Sequence, residues 1–309
     1  MRAAVLALAA VAPLAQAAPA AETVYAGTAH DAWFAIDVDG GRGVAVGAGG
    51  ALLESVDGGA SWTAASVDTG GLSLLGVDVA SGRALAVGQQ GLLLRRDAAG
   101  SWRKADSGTA ERLFAVHMNA AGTAVAAGAF GALLKSDDGG EHWHPIALNW
   151  ADYNDSGQEP HLYAAHVDDR GRITVAGEFG LILRSDDGGS RWRRLHQGDA
   201  SIFAFDLHEP GDESYAVGQV GTVLKSDDGG ESWTAVASGS TANLLAVSAS
   251  GEAVLIAGFR ESLLSRDGGK SWTPMADEQL GNSWFAGVAS GGSGLLAVGQ
   301  TGRVVRLRP

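Results

Sequence analysis

The stretch Ser226-Asp227-Asp228-Gly229-Gly230-Glu231-Ser232-Trp233 decides the fold, because it recurs. Copies fitting S-x-D-G-G-x-x-W lie at 55–62, 136–143, 185–192 and 265–272. A degraded copy at 95–102 keeps only Asp97 and Trp102 in register. The tryptophans at 62, 102, 143, 192, 233 and 272 follow one another at 40, 41, 49, 41 and 39 residues. A period of about 40 residues marks a solenoid or a propeller.

Upstream of each tryptophan an apolar run, a G-x-x-G and a second apolar run recur. The copies are 47–50, 88–91, 128–131, 177–180, 218–221, 258–261 and 299–302, and only the sixth loses its second glycine, to Glu261. Val44-Ala45-Val46 and Ala51-Leu52-Leu53 show the flanks: short β-rich runs bounded by a glycine turn. A third column precedes these. It reads Trp33-Phe34-Ala35, Leu74-Leu75-Gly76, Leu113-Phe114-Ala115, Leu162-Tyr163-Ala164, Ile202-Phe203-Ala204, Leu244-Leu245-Ala246 and Trp284-Phe285-Ala286. A strand that needs Ala or Gly at one fixed place is crowded there, as in sheets converging on an axis.

Each unit therefore supplies four strands, and seven such units predict an all-β, seven-bladed β-propeller over residues 18–309. No unit carries the 3.6-residue apolar period of a helical solenoid. The seventh unit ends at its third strand, whereas Glu22-Thr23-Val24-Tyr25-Ala26 is strand-like with no unit of its own. The N-terminal run is expected to supply the missing strand, closing the ring and covering an open edge.

Arg2, the apolar run 5–14 and Ala15-Gln16-Ala17 read as a signal peptide over 1–17, so the chain is expected to be exported, periplasmic or secreted, after cleavage near Ala17. The chain contains no cysteine, so disulfides contribute nothing, and no later apolar run is long enough to insert in a membrane. The formal net charge of −13 argues against nucleic acid and anionic membrane surfaces as partners.

The repeated aspartates, Asp57, Asp97, Asp138, Asp187, Asp228 and Asp267, read as fasteners that accept hydrogen bonds from turn backbone. Their tryptophans, Trp62, Trp102, Trp143, Trp192, Trp233 and Trp272, open the fourth strand and pack between blades. A catalytic group is needed once, not five or six times around a ring. Calcium at Asp137-Asp138 or Asp227-Asp228 is disfavoured because the middle position becomes Val56 and Arg266 elsewhere. His117 and His166, with Asp37, Asp78 and Asp206, fall in one column and form a polar ring near the axis, read as strand-end groups bonded to the next turn rather than as a metal site. No cofactor, metal or catalytic residue is expected.

The repeat is the Asp-box, or bacterial-neuraminidase repeat. Across the whole mature chain, the seven units resemble the photosystem II stability/assembly factor family of seven-bladed Asp-box propellers. That resemblance implies a non-enzymatic scaffold or assembly factor; for an exported chain the expected partner is a protein of an envelope or membrane complex, and the propeller is expected to be a monomer. The alternative is an Asp-box glycoside hydrolase or carbohydrate-binding propeller. A sialidase needs an arginine cluster and a tyrosine nucleophile, but the tyrosines are only 25, 153, 163 and 215 and no tyrosine–glutamate couple stands out.

The step from Trp143 to Trp192 is about eight residues longer than the rest, and the excess lies in 149–161. Insertions in repeat proteins map to loops and often to the binding face. In a blade read outward, this insertion shares a face with the G-x-x-G loops. Phe130, Trp150, Tyr153, Glu178 and Phe179 are therefore the expected core of a partner site, with Phe259 and Arg260 across the axis. The competing expectation is that the insertion folds over the phenylalanines as a local cap.

Overall fold

The computed structural model describes residues 21–275 and 283–307, so the signal peptide at 1–17 lies outside the described residues. Seven four-stranded antiparallel sheets stand around one axis. Blade one is β2 (Trp33–Asp39), β3 (Arg42–Gly47), β4 (Leu52–Ser55) and β5 (Thr63–Ala65), from the axis outward. Blades two to six repeat that order with β6–β9 (74–105), β10–β13 (113–145), β14–β17 (162–196), β18–β21 (202–236) and β22–β25 (244–274). Blade seven takes β26 (Phe285–Gly291), β27 (Gly294–Gly299) and β28 (Arg303–Leu307), and its outer strand is β1 (Ala21–Ala26). The ring closes through the N-terminal run. Among the described residues no helix is long and apolar enough to cross a membrane.

The second strand of each blade is buried on both faces, as in Val44-Ala45-Val46 and Ala84-Leu85-Ala86-Val87. These strands read as unbroken apolar runs rather than as alternation because a neighbouring blade packs on each side. Val44, Val46 and Leu52 of blade one share a cluster with Leu74, Ala86 and Leu94 of blade two.

Every innermost strand carries an irregularity just before its small residue. Trp33 pairs with Gly47 and Ala35 with Val46, which leaves Phe34 outside the ladder. The same skip falls at Leu75, Phe114, Tyr163, Phe203, Leu245 and Ala286. A bulge bends the strand and re-aims the extra side chain. The small residue is where neighbouring innermost strands meet: a Cβ on Gly76 would lie 2.6 Å from the Phe114 carbonyl oxygen. In blade seven the expected alignment is one residue off. Phe285 occupies the place of Trp33, so the small residue is Gly287, against Ala35 Cα, and not Ala286.

The aspartate turns join third and fourth strands. In blade five, Ser226 Oγ donates to Asp228 Oδ1 at 2.7 Å, Asp228 Oδ1 accepts the Ser232 N–H at 2.9 Å, and Gly230 N–H donates to Ser226 Oγ at 2.8 Å. Asp57, Asp138, Asp187 and Asp267 repeat the arrangement. These hydrogen bonds hold Asp57, Asp187, Asp228 and Asp267 down at about 2. Trp62, Trp143 and Trp192 donate Nε1–H to the second glycine's carbonyl at 3.0–3.1 Å. Trp272 packs edge-on against Tyr215 of the preceding blade, 6.5 Å between centroids.

Blade two corrects the motif alignment. Arg96, not Arg95, takes the strand position of the motif serine, pairing with Ala84 as Ser55 pairs with Gly43. The turn is one residue shorter. Asp97 still accepts the Ser101 N–H at 2.9 Å, while buried Arg96 and Trp102 both donate to Glu54 of blade one, at 2.7 and 2.8 Å. An inter-blade ion pair thus replaces the serine-centred turn.

The Asp228 carboxylate is half-exposed rather than buried, which limits its contribution. Asp228→Ala is expected to cost about 1 kcal/mol, the net scale of lost turn hydrogen bonds. Urea unfolding of the variant against the parent checks this; a loss several times larger would mean that the turn anchors more than its own blade.

Candidate partner-binding face and axial pocket

Backbone contacts sort the loops onto two faces. The G-x-x-G loops bond to the connections between blades, as in Ala48 N–H to Ala32 O at 2.9 Å and Gln219 N–H to Ser201 O at 3.0 Å. The aspartate turns bond to the first hairpins, as in Gly58 N–H to Gly41 O and Gly139 N–H to Gly122 O.

On the G-x-x-G face the third residue of every loop is left-handed: Gly49, Gln90, Phe130, Phe179, Val220, Arg260 and Thr301 have φ between 51° and 69°. Glycine adopts this conformation without cost, and only the first loop uses it. A non-glycine residue held there carries about 1 kcal/mol of strain or more, and β-branched Val220 is an outlier even among these. Phe130 and Val220, at two of these positions, stand 60% and 69% exposed, and Phe259, one residue before Arg260, is 53% exposed. The Arg260 guanidinium lies over the Phe259 ring at 5.5 Å. The loops hold large apolar side chains outward at conformational expense.

The Phe130 tip connects to the innermost strands through an aromatic track that sequence reading missed. Phe130 meets His161 at 4.9 Å, His161 meets Phe114 at 6.0 Å, Phe114 meets Tyr163 at 5.3 Å and Tyr163 meets Phe203 at 5.2 Å. Phe114, Tyr163 and Phe203 are bulged residues of three successive blades, each half-buried. Phe34, another of them, stacks on Trp284 at 5.8 Å. The signal was in the aligned column, one place before the small residue. It was not legible as a surface because alternation alone puts that position inside the sheet.

The insertion folds down over Gly131 and beside Phe179 but leaves Phe130 60% exposed, so it caps only part of what was expected. Trp150 is only 6% exposed and belongs to the core cluster of blades three and four. Its indole covers Gly131, where a Cβ would come within 2.5 Å of Nε1, and Gly131 N–H donates to Pro160 O at 2.8 Å. Trp150 therefore leaves the expected partner site: its apolar surface is spent inside. Tyr153 packs edge-on against it and receives Arg194 on its carbonyl. Phe179 packs half-buried on the same core, and Glu178 accepts the His161 N–H at 2.8 Å. Glu178 also stands by Tyr163, whose phenol burial and this carboxylate push up to about 12. Phe130, Phe259 and Arg260 remain accessible, whereas Tyr153, Glu178 and Phe179 are half-buried around Trp150 and His161.

The opposite face opens into an axial pocket of about 690 Å³. The polar column lines it, and four of its five members tie an innermost strand to the next. Asp37 accepts Val79 N–H at 2.7 Å, Asp78 accepts Met118 N–H at 2.9 Å, His117 Nδ1 accepts Val167 N–H at 3.3 Å and Asp206 accepts Ala249 N–H at 2.6 Å. The His117 and His166 rings lie 4.1 Å apart. No cluster of three or more potential ligands suited to a metal occurs among the described residues. Burial and mutual repulsion raise Asp37 to about 7, and burial with Asp39 nearby raises Asp78 to about 7. Burial lowers His117 and His166, whereas the Asp206 carboxylate, 3.3 Å from Nε2, raises His208.

The signs of these shifts predict a pH profile. Carboxyls raised in the fold favour it while protonated, so their contribution is lost as pH rises through about 7, and raised His208 acts in the same direction. Histidines held neutral act oppositely, but only below their unfolded value of about 6.5. Melting temperature is therefore expected to fall from about pH 4 to just above 7, with the histidines offsetting part of the fall below about 6.5. Asp37→Asn with Asp78→Asn should flatten most of that slope in a calorimetric pH series; an unchanged slope would place the titration elsewhere.

Fold and faces together define a closed seven-bladed β-propeller with one aromatic face and one acidic axial pocket. Solved structures share the architecture. YCF48 bound to D1 peptide superposes with a TM-score of 0.72 at 17% identity, over 96% of this chain and 98% of that one. The RRP9 WD40 repeats give 0.75 at 12% identity, over 94% and 99%. The GH74 xyloglucanase from Xanthomonas campestris gives 0.71 at 18% identity, over 92% of this chain and 53% of that one. At these identities the likeness is one of fold. No family model matches the chain, and no curated protein matches it in sequence.

Proposed function

We propose that the chain is an exported, non-enzymatic propeller scaffold, monomeric on its own, whose G-x-x-G face binds a polypeptide segment of a partner in an envelope or membrane complex. The observation that carries this reading is the aromatic track from Phe130 through His161, Phe114 and Tyr163 to Phe203, half-open along one face. Half-exposed aromatics in contact are the usual anchors of an interface, and strained loop tips that hold further apolar groups outward mark a working surface. The repeat's resemblance to photosystem II assembly factors supports it, as does a similar fold found with a D1 peptide bound. The aspartate turns are occupied by their own backbone and act as fasteners of the Asp-box kind.

The test separates docking from folding. A random peptide library selected on the parent protein should yield binders that lose about tenfold or more in affinity on Phe130→Ala with Tyr163→Ala, at an unchanged melting temperature. Binders indifferent to both substitutions would overturn the choice of face. The alternative, a glycoside hydrolase or carbohydrate-binding propeller, draws on the xyloglucanase likeness. Release of reducing sugar from xyloglucan or of sialic acid from a sialoside would favour it.

A further inference from the structure

The axial pocket lies on the other face, and its wall is unevenly charged. Asp37, Asp39, Asp78, Asp169, Asp206 and Glu209 line it, whereas its two arginines are already engaged. Arg172 Nε pairs with Asp168 at 2.5 Å, and Arg184 donates to Glu231, to Thr174 and to the Gly229 carbonyl at 2.8–2.9 Å. The pocket thus presents a surplus of carboxylate with no free cation among its described lining residues.

Two lining groups point to an occupant. Asp78 is more than nine-tenths buried, yet only Oδ2 is hydrogen-bonded, to Met118 N–H; Oδ1 has only His117 Nε2 nearby, at 3.8 Å. His166 lines the same pocket, its ring 4.1 Å from that of His117, with no hydrogen bond among the described residues. Asp78 Oδ1 opens into the pocket, where a donor can reach it. Asp37, Asp39 and Asp78 come from adjacent blades one and two. Asp37 and Asp39 already accept the Val79 and Ser81 N–H groups, at 2.7 and 2.8 Å. The three carboxylates thus face the opening while their backbone partners hold them in place.

We infer that the axial pocket of the aspartate-turn face is a binding site for an alkylammonium group, seated among the Asp37, Asp39 and Asp78 carboxylates. An ammonium presents several diverging N–H donors on a compact charge, which suits carboxylates spread over two blades better than the tight ligand set a metal needs. The opening is of the size that takes a small molecule or an inserted side chain. The group can come from a free polyamine or from a lysine of a basic polypeptide, and the two share one chemistry. This inference concerns the face opposite the proposed partner track and does not depend on it.

Calorimetric titration with spermidine, and separately with a lysine-bearing peptide and its Nε-acetylated counterpart, tests it. Spermidine or the free-lysine peptide is expected to bind, more weakly in high salt and more tightly at pH 8 than at pH 6. The heat should depend on the buffer, because Asp37 and Asp78 release protons as the cation enters. Spermidine alone binding identifies a free polyamine; the peptide alone binding identifies a lysine side chain. Asp39→Asn, at the exposed rim, should weaken binding about tenfold without lowering stability, and Asp37→Asn with Asp78→Asn should abolish it. Phe130→Ala with Tyr163→Ala should leave it unchanged. Equal binding of the acetylated peptide, binding of neutral oligosaccharide in place of the amines, or no binding of either amine overturns the inference.

Discussion

Deleting β1 is expected to lower the melting temperature by about 10 °C or more and to make the protein self-associate. Five residues of β1 pair with β28, from Ala21 opposite Leu307 to Ala26 opposite Arg303. Arg306 reaches Glu22 at 2.7 Å, and Gly27 N–H donates to Gly302 O at 2.8 Å just beyond the strand. Val24 is the bulged residue, and both Val24 and Tyr25 pack on the cluster of blades one and seven, with Tyr25 edge-on to Trp33 at 6.2 Å. Deletion removes the outer ladder, through which the last blade is hydrogen-bonded to the other end of the chain. It also leaves β28 as a bare edge, the template on which strands of other molecules pair. Differential scanning calorimetry with sedimentation velocity reads both effects. A variant with the parent's melting temperature and sedimentation profile would mean that blade seven is stable with three strands.

The closure was legible because the repeat is a counting device. A unit that stops after its third strand and a strand with no unit can only be joined if the architecture is a ring. The faces were legible for the same reason, since strand order alone decides which loops lie together. Side-chain fate was less so. Trp150 sits in a polar insertion, where composition favours an exposed aromatic, yet Gly131 leaves a hollow above its backbone that the indole fills. Nothing local to Trp150 records that hollow; it belongs to the neighbouring loop. The bulged column was visible as aromatic but not as bulged, because a skipped residue leaves no mark in apolar periodicity. Arg96 replaced a motif serine through a one-residue deletion, and alignment on the tryptophan hid the shift that strand pairing shows. The polar column, by contrast, was read as strand-end groups bonded onward, and four of its five members bond to the backbone of the next blade.

The first glycine of each G-x-x-G is expected to be the least replaceable residue type in the ring, and Gly218→Ala should cost about 3 kcal/mol or more. The reason is not its dihedral angle, since φ at Gly218 is −166°, extended backbone that any residue adopts. The connection from the preceding blade lays its carbonyl across the glycine: Gln219 N–H donates to Ser201 O, and a Cβ on Gly218 would lie 2.0 Å from that oxygen. The same approach recurs at Gly47, Gly88, Gly128, Gly177, Gly258 and Gly299, at 2.1–2.4 Å from the carbonyl of the corresponding residue. A backbone atom cannot rotate away as a side chain can, so the loop or the innermost strand must shift, and both belong to the blade's seal against its neighbour. Gly49→Ala supplies the contrast. Gly49 has φ of 62° but no atom within 4 Å of its added Cβ, and the other six loops already carry a side chain at that position. Its replacement should cost about 1 kcal/mol, the strain of a left-handed residue in open space. Chemical denaturation of the two variants side by side reads the difference. Equal losses would mean that conformational strain, and not the close approach of the carbonyl, selects glycine in these loops.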